Sequence, residues 1–340
     1  MTDFYSSPPE EQAECLKALC HAALTHWDCG PCDLELIKFR ENAVFAATGQ
    51  DGNRYAVRVH RPGYHSDAEL RSELQWMLAL QASGFDVPEI IPTRNGAPFL
   101  TVRHTSVPEA RQIDLFKWIE GAQLGNVGEE CSADAAQMAR TYDTVGRLAG
   151  RLHNQACAWK LPPDFTRHAW DAEGLVGEKP LWGPFWELAA LSPEQRALIV
   201  QTRDRLRRDL AALDRSPTVY GLIHADFAPE NLMVEGDRIR LLDFDDAGFG
   251  WHLFEIATSL YFHTGQPHYE AVRDAMIAGY RAERPLSDAQ LALLPMFLAA
   301  RGSTYLGWVH TRQETETARE LTPMLVELFC AAARDYLRAS

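Results

Sequence analysis

The sequence predicts an α+β protein of two lobes, a small β-rich lobe over residues 1–119 and a large, mainly helical lobe over 120–340. Two observations predict it. Between Leu34 and Ile119, short apolar runs alternate with turn residues, and one helical stretch lies among them. After Gly121 the apolar spacing becomes that of long helices, interrupted by a few short strands. A chain of 340 residues is long enough to build two such lobes.

The elements follow in order. Leu16, Leu19, Cys20, Ala23, Leu24 and Trp27 recur at helical spacing and predict an N-terminal amphipathic helix. Strands are expected over Leu34–Phe39 and Val44–Thr48, and Gly49–Asn53 reads as a hairpin turn. In the next strand, Tyr55, Val57 and Val59 face one side while Arg58 and His60 face the other. Ser66 with Glu69 three residues on forms a capping box. The helix it opens should bury Leu70, Leu74, Met77 and Leu78 and stop at Ser83-Gly84. Strands are expected again at Leu100–Val102 and Leu115–Ile119, and the join between the lobes near Trp118. In the second lobe, helices are expected over Ala135–Ala156 and Pro193–Leu213. Short strands follow at Val219–Ile223, Leu232–Val234 and Ile239–Leu242, the last two joined by Glu235-Gly236-Asp237, and helices then run to Ser340.

The totals exclude several classes. A net charge of −14 argues against a nucleic-acid partner or an anionic membrane. Seven cysteines, an odd number in a long chain, do not read as a disulfide scaffold. The N-terminus has neither the basic start nor the apolar run of a secretory signal, and no apolar stretch is long enough to span a bilayer. The expectation is a reduced, cytoplasmic enzyme with no nucleic-acid or membrane partner.

The chemistry concentrates in one segment. The apolar strand Val219–Ile223 delivers His224-Ala225-Asp226-Phe227-Ala228-Pro229-Glu230-Asn231 into a loop where Pro229 blocks helix formation. The next strand pair ends in Asp243-Phe244-Asp245-Asp246. Two polar loops leaving neighbouring apolar strands can bring Asp226, Asn231, Asp243 and Asp245 to one point. Phosphoryl transfer requires such a set, because its barrier is lowered mainly by positioning and by neutralising phosphate charge. Asp226 suits a base that orients an acceptor hydroxyl, while Asp243 and Asn231 suit the hard-oxygen preference of Mg²⁺. His224 is better placed to brace the loop. Taken singly, each aspartate or asparagine reads as a turn former or cap; the succession of strand, loop, hairpin and strand is what gives the set meaning.

This pattern resembles the aminoglycoside phosphotransferase and choline kinase family, which has the bilobal protein-kinase-like fold. Kinase catalytic loops read H-R-D-x-x-x-x-N and the metal aspartate lies in D-F-G. Here Ala225 replaces the arginine and Asp245 the glycine, as is typical of small-molecule kinases. The resemblance implies ATP and Mg²⁺ as cofactors, Asp226 as base with His224 beside it in the catalytic loop, and Asn231 and Asp243 as metal ligands. Asp245 is a further candidate for the metal. Upstream, Tyr55-Ala-Val-Arg58-Val resembles the strand that carries the ATP-binding lysine, with Arg58 as the cation. Arginine still pairs with phosphates, and bidentately. Glu69 and Glu73 compete as its helix partner, and Glu73 is preferred because the capping box already uses Glu69. No Gly-rich loop covers the phosphates; by resemblance the Glu41-Asn42 turn does so with backbone N–H groups. Lys117–Gly121, including Glu120, would be the hinge whose backbone faces adenine. Gly146–His153 resembles the helix ahead of the catalytic loop. The likeness covers about residues 25–310.

Other features compete. Cys29-Gly-Pro-Cys32 spells a redox tetrapeptide, but it follows a helix and precedes a strand, the reverse of a redox site. With Cys15, Cys20, His21 and His26 it matches no strong zinc spacing. Trp170, Trp182, Phe185, Trp186 and Trp251 read as large-lobe core, or as the lining of an acceptor pocket.

The function expected is transfer of the γ-phosphate of ATP to the hydroxyl of a small molecule. The Asp243–Asp246 ending and Arg58 resemble the bacterial branch of homoserine kinase type II and stress-response kinase-like proteins, so homoserine or another amino alcohol comes first. Asp245, Asp246 or Glu255 would meet its ammonium, and Arg167, Arg301 or Arg312 its carboxylate. The alternatives are a stress-response-type protein Ser/Thr kinase, for which Phe244–Phe254 leaves little peptide-docking loop, an aminoglycoside phosphotransferase, and a non-catalytic pseudokinase.

Overall fold

The structure, a computed structural model, describes residues 4–39, 42–125, 135–236 and 238–339. The chain divides into two compact units, one running to Gly121 and including Leu161–Thr166, the other comprising Ala122–Lys160 and the chain from Arg167.

The first unit starts with α1 (Pro9–Leu24) and a five-stranded antiparallel sheet. Its strands are β1 (Cys32–Phe39), β2 (Ala43–Gly49), β3 (Arg54–Val59), β4 (Phe99–Val102) and β5 (Arg111–Lys117), in spatial order β1-β2-β3-β5-β4. The alternation in β3 works as its sequence suggests: Val57 and Val59 are buried with Leu34, Phe45, Ile113 and Leu115 against the α1 residues Leu16, Leu19 and Ala23. Between β3 and β4 lies α2 (Asp67–Ala82), whose capping box is complete: Glu69 N–H donates to Ser66 Oγ, and the Glu69 carboxylate accepts from Ser66 N–H. Helix α2 buries Leu70, Glu73, Leu74, Trp76, Met77 and Leu80. Leu78, expected inside, is 48% exposed, because Leu80 and Trp76 occupy the stripe it was assigned to. Thr166 N–H donates to Ser72 Oγ on α2, tying the Leu161–Thr166 segment to this unit.

The second unit contains β6 (Ala122–Gln123), α3 (Ala135–Ala158), β7 (Ala169–Trp170), α4 (Ala172–Val176), α5 (Pro193–Ala211) and β8 (Tyr220–Ile223). Then come β9 (Leu232–Glu235), β10 (Arg238–Leu241), β11 (Gly248–Trp251), α6 (His252–Leu260), α7 (Tyr269–Glu283), α8 (Asp288–Leu291), α9 (Leu294–His310) and α10 (Glu316–Arg338). Several points differ from the sequence reading, among them the unread short strands β6 and β7. The chain after Asp243 does not pass straight into helices: Gly248–Trp251 forms β11, antiparallel to β8 and parallel to β7. Pro229 does not merely block helix; it opens a single 3₁₀ turn, Pro229–Asn231, where a residue without an N–H costs nothing. No helix among the described residues is long and apolar enough to cross a membrane.

Two small sheets shape the segment from His224 to Asp246. Strands β9 and β10 form a hairpin, with β6 on the far side of β9. Strands β8 and β11 carry the chain into and away from the polar loops. The expected turn residue Asp237 lies outside the described residues.

Candidate active site

Strand β8 ends at Ile223, and the backbone then turns sharply. Ala225 has φ of 64°, in the left-handed region that a Cβ disfavours. Both sides of this turn are clamped. The Glu255 carboxylate, on the first turn of α6, accepts from His224 N–H and Ala225 N–H at 2.7 Å each. Arg301 Nη1, from the middle of α9, donates to Ala225 O at 3.0 Å. Glu255 and Arg301 are both wholly buried. The turn aims the Asp226 side chain outward, where it keeps 18% exposure.

Both Asp226 oxygens are held. Oδ1 accepts from Arg301 Nη2 at 2.6 Å, and Oδ2 accepts from Asn231 Nδ2 at 2.7 Å. Asn231 Nδ2 also donates to Asp226 O at 2.9 Å. The Asn231 amide is therefore committed on its nitrogen side, leaving its oxygen as the ligand-type atom. Burial pushes the Asp226 carboxyl up to about 7; Arg301 pulls it down, and Asp246, Glu230 and Asp243 push it up again.

His224 joins this loop to the next. It is buried, its Nε2–H donates to Leu242 O at 2.8 Å, and its Nδ1 accepts from Asp226 N–H. That pattern selects the Nε2–H tautomer, and burial lowers the imidazole's affinity for a proton. His224 thus fixes the residue just before Asp243. Leu242 N–H donates to Asn231 O at 2.8 Å, which sets Asp243 beside Asn231. Asp243 has φ of 58°, and it and Ala225 are the non-glycine residues with positive φ among those described. Backbone strain gathers at such positions where surrounding contacts over-determine the conformation.

Beyond Asp243 the segment is anchored by its backbone. Asp245 is 6% exposed, and its carbonyl accepts from Arg167. Asp246 O accepts from Trp170 Nε1 at 2.8 Å, and Asp246 Oδ1 accepts from Trp182 Nε1 at 3.2 Å. Two sets of substrate-binding candidates change here. Glu255 cannot meet a substrate ammonium, because it is sealed in the core holding two backbone N–H groups. Nor do Arg301 and Arg167 wait for a carboxylate. Arg301 is spent on Asp226. Arg167 is buried and donates to Ala247 O at 2.5 Å. Arg312 lies over the Trp308 ring and donates to Thr311 Oγ1. The tryptophans are largely core: Trp170 and Trp251 are buried, and Trp186 stacks under Arg203.

In the first unit, Arg58 meets Glu73, its Nη2 donating to Glu73 Oε1 at 2.7 Å, while Glu69 stays in the capping box. An aspartate that the sequence did not announce completes this cluster. Asp114 stands opposite Arg58 across β3 and β5 and takes its guanidinium bidentately, Nε to Oδ1 at 3.1 Å and Nη2 to Oδ2 at 2.6 Å. His60 Nε2 lies 3.1 Å from Asp114 Oδ2. Burial alone would raise Asp114; Arg58 and His60 outweigh it and hold the carboxyl below its usual range. Asn42 Oδ1 accepts from Arg61 N–H at 3.1 Å, and its neighbours Arg40 and Glu41 lie outside the described residues. The Glu120 carboxylate pairs with Arg54 on the surface. Cys29 and Cys32 are buried free thiols at the turn between α1 and β1. Burial, with Cys29 nearby, pushes Cys32 up to about 11, the reverse of a reactive thiol. No group of three or more His, Cys, Asp and Glu placed to hold a metal ion occurs among the described residues.

Comparison with known proteins decides the family. The model of the phosphotransferase enzyme family matches residues 35–289. The chain belongs to that family. Amicoumacin kinase of Bacillus subtilis is 26% identical over 294 residues, covering 82% of this chain and 80% of its own. A homoserine kinase of Rhizobium johnstonii is 28% identical, covering 68% of this chain and 67% of its own. Among solved structures, a microcompartment-associated aminopropanol kinase matches with a TM-score of 0.83 at 31% identity, covering 95% of this chain and 98% of its own. A spectinomycin phosphotransferase shares the fold at a TM-score of 0.58 and 13% identity, covering 93% and 97%. The phosphotransferase is thus a kinase acting on small-molecule hydroxyl groups, with an antiparallel-sheet N-lobe and a helical C-lobe.

Proposed function

We propose that this phosphotransferase uses ATP and Mg²⁺ to phosphorylate the hydroxyl of a small amino alcohol. The observation that carries the reading is Asp226: a carboxylate held on both oxygens, at the mouth of a strained and doubly clamped turn, inside the stretch matched by the family model. In this reading Asp226 orients the acceptor hydroxyl and takes its proton. A carboxyl raised toward neutral pH suits a general base, since it must accept a proton at the working pH. His224 acts as the brace between the two loops.

The donor set around Asn231 and Asp243 fits a divalent cation. One carboxylate and one amide oxygen make too few ligands for an all-protein cage, and Mg²⁺ commonly completes its shell with water and substrate phosphates. Asn231 and Asp243 would hold the ion, with Asp245, the third sequence candidate, as a further carboxylate on the same loop. The bound ion would neutralise phosphate charge during transfer. For the nucleotide we assign Arg58, steadied by Glu73, with the backbone around Asn42 and Glu120 as the supporting contacts.

The acceptor class rests on the relatives and on local charge. Aminopropanol and homoserine, named in two of the relatives, both carry an amine and a hydroxyl. Asp246 and Glu230 lie close enough to Asp226 to raise its carboxyl, so the acceptor side is acidic, which favours an ammonium group. The test is ADP release from MgATP across 1-amino-2-propanol, homoserine, choline, kanamycin and casein. Saturable turnover is expected on the first two. Turnover on kanamycin or casein alone would overturn the acceptor assignment.

A further inference from the structure

Arg301 was a candidate for a substrate carboxylate, and the structure gives it different work. Its guanidinium has no exposure and sits 75 residues from Asp226 along the chain, yet its one ion-pair partner among the described residues is Asp226, at 2.6 Å. The same nitrogen, Nη2, donates to Tyr305 OH at 2.8 Å, and Nη1 donates to Ala225 O at 3.0 Å. The guanidinium carbon lies 4.2 Å from the Tyr305 ring centroid and 4.8 Å from that of Trp182. Its Nε has no hydrogen-bond partner.

A buried cation with an orphaned N–H is expensive to keep. Replacing such an ion pair by well-packed apolar groups often leaves stability unchanged or improves it. Stability alone therefore does not account for Arg301. What it does geometrically is narrow. One nitrogen fixes Asp226 Oδ1, and another fixes the carbonyl of the strained residue directly before Asp226. With Asn231 on Oδ2, the carboxylate plane can neither rotate about its χ2 nor swing with the backbone. A flat guanidinium fork held by two aromatic rings meets that demand; a lysine would reach one of the two acceptors.

We propose that Arg301 is a positioning residue for phosphoryl transfer: it acts through Asp226, holding the carboxylate in the orientation that receives the acceptor proton, and touches neither substrate. The proposal rests on the reading of Asp226 as base, and the test separates the two. Full-length wild type, Arg301→Met, Arg301→Lys, Asp226→Asn and the Asp226→Asn/Arg301→Met double variant are assayed with MgATP. Two readouts are used, phosphorylation of 1-amino-2-propanol and the slower hydrolysis of MgATP with water as acceptor, which needs no acceptor identity. Arg301→Met should lower kcat by about 100-fold, within the usual range for general-base catalysis, with the KM for ATP unchanged. Arg301→Lys should recover part of that loss. On the Asp226→Asn background, Arg301→Met should cost nothing more, because residues that act as a unit are non-additive. Full activity in Arg301→Met, or a further additive loss in the double variant, overturns the proposal. If Arg301→Met does not fold, the kcat of Arg301→Lys relative to its KM carries the same test. Substantial turnover by Asp226→Asn would instead overturn the reading of Asp226 itself.

Discussion

Ala225 occupies a backbone conformation that an isolated chain avoids, at a cost of roughly 1–2 kcal/mol. Glu255 makes it affordable by accepting two adjacent N–H groups in a fully buried pocket. Burial also raises the Glu255 carboxyl, against the pull of His224 and the two N–H groups. Glu255→Gln keeps the shape but turns an NH₂ toward one of those N–H groups. It should lower the urea midpoint by the equivalent of about 1–3 kcal/mol, the cost of one buried unsatisfied donor. An unchanged midpoint would show that the turn holds without Glu255. At this scale the sequence was only partly legible. Asp226, Asn231 and Asp243 stand in a spaced motif, and the segment shows their polar character directly. Glu255, Arg301 and Asp114 do their work through contacts 30 to 76 positions away in the chain, and no local spacing announces such partners.

Helix α3 and helix α7 approach so closely that glycine is required on both. A Cβ on Gly146 would run into Met276 O, and one on Gly279 into Asp143 O. Gly146→Ala should therefore cost about 3 kcal/mol or more by overpacking, read as a fall in urea midpoint. A variant as stable as wild type would mean the helices can separate freely. Elements with strong local signals were legible: the capping box at Ser66 and the Gly49–Asn53 turn both mark real boundaries. Strand β11 was not. Its sequence, Gly-Phe-Gly-Trp, is four residues long and half glycine, which weakens a strand signal. Its glycines answer to neighbours instead: a Cβ at Gly250 would press on Ile223, and one at Gly248 on His168 O. Leu78 failed for a different reason, since a helical stripe read from spacing alone is uncertain by one position at its edge, and Trp76 and Leu80 filled the core first.

For the molecule as a whole, the fold class was legible because composition changes along the chain, from alternating strands to helical spacing, and the family match spans both units. Its stability should carry opposing pH terms. His263, buried and bonded to Tyr142 OH at 2.5 Å, is held down to about 4 by burial and by His268. Its unfolded value is about 6.5, so the unfolded chain binds the extra proton first. The stability due to neutral His263 is therefore complete above about pH 6.5 and is lost as pH falls toward 4. Asp226 has the opposite sign: its raised carboxyl favours the fold at low pH and loses that contribution as pH rises through about 7. The difference between wild type and His263→Gln isolates the first term. Wild type should lose about 1 kcal/mol relative to the variant between pH 7.5 and 5.5, measured by urea unfolding. Parallel pH profiles would contradict the assignment. The central claim is that Asp226 is the base of a small-molecule kinase. Its most direct measurement is ADP release from MgATP with 1-amino-2-propanol, comparing wild type with Asp226→Asn while nucleotide binding is followed by calorimetry. Turnover should fall by at least about 100-fold with nucleotide affinity retained. Undiminished turnover in Asp226→Asn would contradict the account.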